Sequence, residues 1–162
     1  MKAIQSIPDK ITDIHGIRLQ AARWKMLGKK IVFTNGVFDI VHEGHIASLC
    51  EAASHGDVLV VGLNADESVK RLKGPERPVN NENARALLLA SLIMTDRIVL
   101  FSEDTPLELI KAIMPDVLFK GGDYEVEEIA GSKEVLAHGG EVKLGKIVEG
   151  ISTTAIIARI RG

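Results

Sequence analysis

Apolar positions along this chain fall into short continuous runs, separated by stretches in which apolar residues recur every three or four positions. A short continuous run is typical of a strand buried on both faces of a parallel sheet. The recurring spacing predicts helices that place one apolar face against that sheet. Five strands are predicted, over residues 31–34, 57–63, 97–101, 116–120 and 140–144.

The predicted helices lie before, between and after these strands. Their alternation with strands predicts an α/β fold, a Rossmann-like, doubly wound parallel sheet of five strands in the order 3-2-1-4-5. We divide the chain into an N-terminal helical extension, residues 1–28, and one domain over residues 29–162. The predicted helices cover residues 18–27, 43–55, 66–72, 82–94, 105–113, 127–137 and 153–160.

The composition of the 162 residues is that of an ordinary globular domain, with 46% apolar and 26% charged residues. The formal net charge of −2 gives no indication of a nucleic-acid partner. No apolar run reaches the length of a membrane span, and the first residues lack the apolar stretch of a signal peptide. We therefore expect a cytoplasmic protein that binds neither nucleic acid nor membrane.

The segment after the first predicted strand carries two histidines around a glycine. It is typical of a strand end followed by a glycine turn and a helix start, where free backbone N–H groups and the helix dipole attract an anion. The two histidines are three positions apart and share one face of the first helical turn. The candidate phosphate ligands of this segment are Asn35, Gly36, Val37, Phe38, His42, Gly44 and His45.

Two other interpretations of the histidine pair stay open from the residues alone. Both side chains could cap the helix or lie at the edge of the core, or they could bind a metal ion. The metal hypothesis is the weaker one, because histidine pairs that bind zinc on a helix usually have i, i+4 spacing. We expect no metal bound by the protein itself.

A second candidate is the cationic segment 70–78, which holds Lys70, Arg71, Lys73 and Arg77. Runs of charge are usually solvated surface loops. The same charges beside an anion site would instead clamp a substrate phosphate, and the sequence alone does not decide between the two. On the second hypothesis, residues 73–81 and 145–152 are mobile until a ligand binds.

Two glycine-bearing polar segments follow later strands. Residues 120–124 form either a tight turn or a place where the backbone approaches a ligand, with Asp123 bonding a ribose or an amino group. Residues 150–154 begin a helix; one hydroxyl caps a helix, so the surplus hydroxyls suit phosphate oxygens. The candidate residues are Lys120, Gly121, Gly122 and Asp123 in the first segment and Ser152, Thr153 and Thr154 in the second.

Asp39 and Arg85 have two open interpretations each. Asp39 either fixes its turn by accepting backbone N–H bonds, which we favour, or contacts substrate. Arg85 is either a surface residue of its helix or reaches the phosphates. The signatures of P-loop enzymes, dinucleotide-binding dehydrogenases and serine hydrolases with a nucleophile elbow are all absent from the sequence.

These motifs resemble those of one enzyme family. Residues 36–45 are similar to the His-x-Gly-His signature of nucleotidyltransferases, and residues 150–154 resemble the C-terminal serine and threonine motif of the same family. Within it, the chain is similar in register over residues 29–162 to the heptose 1-phosphate adenylyltransferases. The segments that carry this closer similarity are 71–74, 77–80, 120–124 and 128–133.

The resemblance implies an enzyme that transfers AMP from ATP to a sugar 1-phosphate for lipopolysaccharide core synthesis. It implies that Mg²⁺ arrives with ATP and that a separate heptose kinase supplies the sugar phosphate. The implied catalytic residues are His42, His45, Lys73 and Arg85. The implied nucleotide contacts are residues 35–38, Gly44, 120–123 and 152–154, and the implied substrate contacts are Asp39, Arg71 and Arg77.

Two rival functions stay open. One is a cytidylyltransferase for a small alcohol phosphate, and the other is a nucleotide sensor without catalysis, which keeps the fold but not the chemistry. We also expect a homodimer, because residues 87–94 hold more apolar side chains than one helix face needs. Related nucleotidyltransferases are commonly dimeric.

Overall fold

In the computed structural model, which describes residues 6–146 and 152–161, parallel strands form one sheet. Six strands are present among the described residues, in the order β1-β4-β3-β2-β5-β6. The strands are β1 (Ile11–Thr12), β2 (Ile31–Gly36), β3 (Val58–Asn64), β4 (Arg97–Phe101), β5 (Val117–Gly121) and β6 (Glu141–Gly145).

Helices cover both faces of this sheet. Short 3₁₀ turns at Pro8–Lys10 and Val126–Glu128 precede β1 and α6. The helices are α1 (Ile14–Met26), α2 (Glu43–Ala53), α3 (Asp66–Lys73), α4 (Glu82–Ser91), α5 (Leu107–Ile113), α6 (Ser132–Ala137) and α7 (Thr153–Arg161).

The predicted number of strands was wrong by one. The five predicted strands are present in the predicted order, and β1 adds a sixth at the edge by pairing Ile11 and Thr12 with Ile98 and Val99 of β4. A strand of two residues leaves no recognisable apolar pattern. Four helices are also shorter than predicted. Helices α2 and α5 each lack two of the predicted residues, α4 ends at Ser91, and α6 begins only at Ser132, after Gly131 takes a φ of 87°.

The core has two layers because successive residues of a strand point to opposite faces. Phe33 of β2 and Val60 of β3 pack with α1, α5 and α6 on one face. Val32 of β2 and Leu59 of β3 pack with α2 and α4 on the other. Helix α1 contributes the buried Ile17, so the N-terminal segment shares the core of the domain. No helix in the described part of the chain is long and apolar enough to cross a membrane.

The strand order reverses beside β2. The chain leaves β2 toward β3 and β4 on one side and later returns to form β5 and β6 on the other. The carboxyl ends of β2 and β5 therefore flank the crevice in which ligands of open parallel sheets bind. Asn35 at the end of β2 and Lys120 at the end of β5 meet there, with 3.2 Å between the Lys120 Nζ and the Asn35 Oδ1.

Candidate active site

The turn from β2 into α2 is tight at its centre. Phe38 takes a left-handed backbone conformation with a φ of 47°. Its ring lies so close to Gly36 that a Cβ there would come within 2.9 Å of a ring carbon. His42 is the N-cap of α2 in an extended conformation, and Gly44 lies in the first helical turn. This path directs the end of β2 and the N-terminus of α2 toward the same space.

His42 and His45 are stacked, with ring centroids 3.8 Å apart and 27° between the planes. The backbone N–H of His42 donates to the His45 Nδ1 over 3.4 Å. Burial and, to a lesser extent, the charge of His42 lower the pKa of His45 to about 4. His45 is therefore neutral at pH 7 in the free protein. The Nδ1 of His42 is buried and has no hydrogen-bond partner among the described residues.

A cavity of about 320 Å³ lies in front of these rings, and we call it the histidine cavity. It brings together the turn after β2, the end of α3 and the start of α7. Ser152 caps α7 by accepting the Ala155 N–H over 3.1 Å, and the Thr153 hydroxyl donates to the Ile40 carbonyl over 3.4 Å. Gly150 and Ile151 of the same motif lie outside the described residues. The lining residues are Val37, Phe38, Asp39, His42, His45, Lys73, Arg77, Ser152, Thr153 and Thr154.

Asp39 holds a neighbouring loop in place of the predicted contact with substrate. Its side chain is 1% exposed and accepts the Arg77 Nε–H over 2.7 Å and the backbone N–H groups of Val79 and Asn80 over 2.9 Å. Burial acts to raise the pKa of Asp39, but the bonds from Asn80, Val79 and Arg77 outweigh it, and the net effect lowers the pKa. Arg77 is also predicted to bind substrate. Its Nε–H donates to Asp39, and the residue lines the histidine cavity.

Arg85 is neither a surface residue nor placed to reach a phosphate directly. Its side chain is 1% exposed. The guanidinium donates to the carbonyls of Asn80, Val37 and Asn64 over 2.7–2.9 Å and to the Asp66 carboxylate over 2.6 Å. The predicted catalytic role therefore gives way to a positioning role, in which Arg85 fixes the Val37 carbonyl and so the turn after β2.

Arg71 and Lys73, two of the three basic residues in the last turn of α3, differ in position. Arg71 pairs with Glu67 over 3.3 Å and with Asp104 over 2.9 Å, and it also donates to the Ser102 carbonyl. These contacts join α3 to the loop after β4, and the predicted contact of Arg71 with substrate stays a prediction. Lys73 is exposed and lines the histidine cavity and two adjoining cavities.

A larger cavity of about 440 Å³, which we call the strand-end cavity, lies beside the turn. Lys120 borders it, and burial lowers the pKa of its ammonium group. Sequence analysis missed several of its polar residues. Asn64 and Asp104 lie at or just after the ends of β3 and β4, and the convergence of parallel strand ends was the signal that could have found them. The residues missed are Asn64, Asp104, Thr105 and Glu128, whereas Tyr124 belongs to the predicted segment 120–124.

Residues at and after the end of β5 border different cavities, and Tyr124 lies between these cavities. Gly121 borders a small cavity with Thr34 and Ser48, and a Cβ on Gly121 would lie 2.7 Å from the Ser48 hydroxyl. Gly122 and Asp123 instead line a hollow of about 430 Å³, the tyrosine hollow, together with Lys146. Tyr124 borders the small cavity, the tyrosine hollow and the strand-end cavity. Within the described ranges, no group of three or more His, Cys, Asp or Glu side chains could hold a metal ion.

Comparison with known sequences gives a family match and close relatives. The family model described as cytidylyltransferase-like matches residues 33–159. The bifunctional protein HldE of Caulobacter sp. (strain K31) is 53% identical over 152 residues, which are 94% of this chain and 31% of that protein. HldE of Vibrio cholerae (strain O395) is 59% identical over 135 residues, 83% of this chain and 28% of that protein. The chain thus spans less than a third of these relatives.

Two solved structures share the fold. The lipopolysaccharide core biosynthesis protein from Thermoplasma volcanium is 32% identical, with a TM-score of 0.62 over 75% of this chain and 98% of that chain. Pantoate-beta-alanine ligase from Francisella tularensis, solved with an ATP compound and beta-alanine, has the same TM-score of 0.62 over 93% of this chain and 76% of that chain. At 15% identity, the second similarity concerns the fold alone.

Proposed function

Because this chain belongs to the cytidylyltransferase-like family, we propose that it transfers AMP from ATP to D-glycero-β-D-manno-heptose 1-phosphate, for lipopolysaccharide core synthesis. The products are ADP-heptose and pyrophosphate. The observation that carries the proposal is the stacked histidine pair at the N-terminus of α2, which faces Lys73 and the hydroxyls of residues 152–154 across one cavity. The high identity to bifunctional HldE proteins supports it.

The reaction needs alignment and charge stabilisation rather than a strong base. A phosphate oxygen of the sugar phosphate attacks the α-phosphorus of ATP while the bond to the β-phosphate oxygen breaks, and pyrophosphate leaves. The second pKa of a phosphate monoester is about 6, so the nucleophile is already ionised at neutral pH. The protein therefore has to hold the two phosphates in line and stabilise the added negative charge.

The residues around the histidine cavity divide this task. His42 and His45 interact with α- and β-phosphate oxygens, and backbone N–H groups near Val37 and Phe38 hold the phosphate chain. Lys73 adds a mobile positive charge. The hydroxyls of Ser152, Thr153 and Thr154, at the positive end of α7, bind the leaving pyrophosphate. Mg²⁺ enters as part of the substrate, bound to ATP.

The nucleotide base lies against the segment after β5, in this proposal. Residues of that segment, including Tyr124, line the tyrosine hollow. The Asp123 carboxylate there accepts a hydrogen bond from an amino group of the base. Arg85 acts on the reaction indirectly, by fixing the Val37 carbonyl. The proposal also requires a kinase that supplies the sugar 1-phosphate, and it includes a homodimer.

A turnover screen tests the function. ATP and CTP are each combined with heptose 1-phosphate, glucose 1-phosphate and glycerol 3-phosphate, and pyrophosphate release is measured. We expect the highest kcat/KM for ATP with heptose 1-phosphate. The description of the family as cytidylyltransferase-like favours one rival: higher kcat/KM for CTP with glycerol 3-phosphate would establish it. Nucleotide binding without pyrophosphate release from any pair would indicate a sensor.

A further inference from the structure

The strand-end cavity has a division of charge that the histidine cavity lacks. Its two lysines, Lys73 and Lys120, also border the cavities next to the turn after β2, so they mark the side nearest the phosphates. Asp104 borders this cavity and neither of those two. The same lining includes the neutral polar groups of Asn64 and Thr105 and a second carboxylate, Glu128.

This arrangement suits a ligand with a phosphate at one end and hydroxyls at the other. A carboxylate accepts strong hydrogen bonds from hydroxyl groups. The two lysines attract a phosphate toward the turn. A nucleoside triphosphate matches the histidine cavity better, because the stacked histidines and the hydroxyls of residues 152–154 line it.

We propose that the strand-end cavity binds the acceptor of the reaction, a phosphorylated sugar, and that Asp104 and Thr105 select it through its hydroxyl groups. The inference rests on the proposed function and adds the place and orientation of the second substrate. Lys73 stands between the two substrates, since it borders both the strand-end cavity and the histidine cavity. It therefore contacts the acceptor phosphate and the α-phosphate at the point where the new bond forms.

Arg71 is the positioning residue of this site. It extends from α3, two positions before Lys73, and binds the Asp104 carboxylate over 2.9 Å as well as the Ser102 carbonyl. These bonds hold the loop after β4 against the end of α3, and both segments line the cavity. The Asp104 carboxylate has a second oxygen, which is free of Arg71 in this geometry and accepts a sugar hydroxyl.

The test compares Michaelis constants for the two substrates. Asp104→Asn and Thr105→Val remove one charge and one hydroxyl, and Thr105→Trp fills the cavity mouth. We expect each of the first two to raise the KM for heptose 1-phosphate by about tenfold, the effect of one lost hydrogen bond to a charged or well-placed group, while the KM for ATP changes less than twofold. Thr105→Trp should abolish measurable saturation by the sugar phosphate.

The matched control is Glu103→Gln, which removes a carboxylate from the same exposed loop at a residue that does not border the cavity. Glu67→Gln removes the other acid partner of Arg71 and controls for a loosened Arg71. Both should retain wild-type constants. Direct titration of His45→Ala with heptose 1-phosphate, without ATP, should show binding that Asp104→Asn in the same background weakens.

The outcomes separate two failures. If the wild-type protein releases no pyrophosphate with any sugar phosphate, the proposed function fails and the acceptor site falls with it. If the wild-type protein is active but Asp104→Asn and Thr105→Val leave the KM for the sugar phosphate within twofold, only the acceptor site is wrong. A raised KM for ATP in these variants would place the nucleotide in this cavity instead.

Discussion

At the scale of the residue, two buried charged side chains hold the segments around the site in place and take no direct part in its chemistry. Asp39 and Arg85 both bind Asn80, one through its backbone N–H and the other through its carbonyl. The sequence could show that both residues are charged and close to a motif. It could not show that the Val37 carbonyl and the Asn64 carbonyl come together on one guanidinium, because these contacts join segments far apart in the chain.

The histidines are the residues whose removal should cost the most catalysis. His42→Ala and His45→Ala should each lower kcat by roughly 10²–10³, the loss expected for one donor to a transition-state oxygen. Circular dichroism should show an unchanged fold. His138→Ala, an exposed histidine at the end of α6, is the control and should keep full activity. Near-normal turnover in either site variant would remove that histidine from the mechanism.

The lowered pKa of His45 also predicts how stability depends on pH. Its pKa is about 4 in the folded protein and ordinarily 6.5. Between these values the unfolded chain binds more protons at this residue than the folded chain, so stability is full above pH 6.5 and is lost as the pH falls toward 4. Urea unfolding of His45→Gln should show a smaller loss between pH of about 7 and about 5.

Other groups, including Asp39, titrate in both proteins and cancel in this comparison. Equal losses of stability in wild type and His45→Gln would show that burial does not hold His45 neutral.

At the scale of the element, short apolar or alternating segments located five strands, and their order followed from the doubly wound topology that the alternation with helices predicts. The boundaries that sequence missed depend on single backbone conformations. Gly131 with its positive φ starts α6 late, and the extended Leu92 ends α4 early. Strand β1 exists only because Ile11 and Thr12 find an open edge of β4, which is a property of the assembled sheet and not of the segment.

The cationic segment, undecided from sequence, has one lysine in a cavity and one outside. Lys73 borders three cavities, and Lys70, also exposed and on the same helix, borders none of those described here. We expect Lys73→Ala to lower kcat/KM by at least about tenfold, as for other lost contacts to charged groups, and Lys70→Ala to change it less than twofold. Small and equal effects of the two substitutions on kcat/KM would indicate that this segment is a solvated surface loop.

Mobility in the loop between α3 and α4 should be limited to its first half. The backbone N–H groups of Val79 and Asn80 are bound to the buried Asp39 carboxylate without any ligand. This differs from the prediction that all of residues 73–81 await a ligand. Amide exchange should show residues 79–80 protected in the free protein, and residues 73–76 gaining protection when ATP binds.

Asp39→Asn offers the control for this exchange experiment, because it weakens the acceptor and should raise exchange at residues 79–80 alone. Fast exchange there in the wild-type protein would contradict the Asp39 contacts. The corresponding prediction for residues 145–152 falls mostly on residues outside the described ranges.

At the scale of the whole molecule, the parallel sheet fixes where substrates meet. The ends of β2, β3 and β5 and the loop after β4 face one edge, so residues from 35 to 128 border one cavity. Sequence alone located the phosphate side of this edge through a local motif. It missed the Asp104 side, because that side has no motif and arises only from the convergence of strand ends.

The outer face of α4 carries the remaining prediction, a homodimer. Leu87 and Leu88 of α4 are 49% and 43% exposed, and Ile93, just after the helix, is 79% exposed, although α4 already covers the sheet with the buried Ala86 and Leu89. Clustered apolar exposure of this kind marks an interaction surface more often than isolated residues do.

Light scattering should give a dimer mass for the wild-type protein at micromolar concentration. The double variant Leu87→Glu, Ile93→Glu should shift to a monomer, since two charges in each copy oppose burial of the face. Met26→Glu is the matched control, because Met26 is 88% exposed at the end of α1, on another element. A monomer mass for the wild-type protein, or a dimer that survives the double variant, would show that α4 is not the interface.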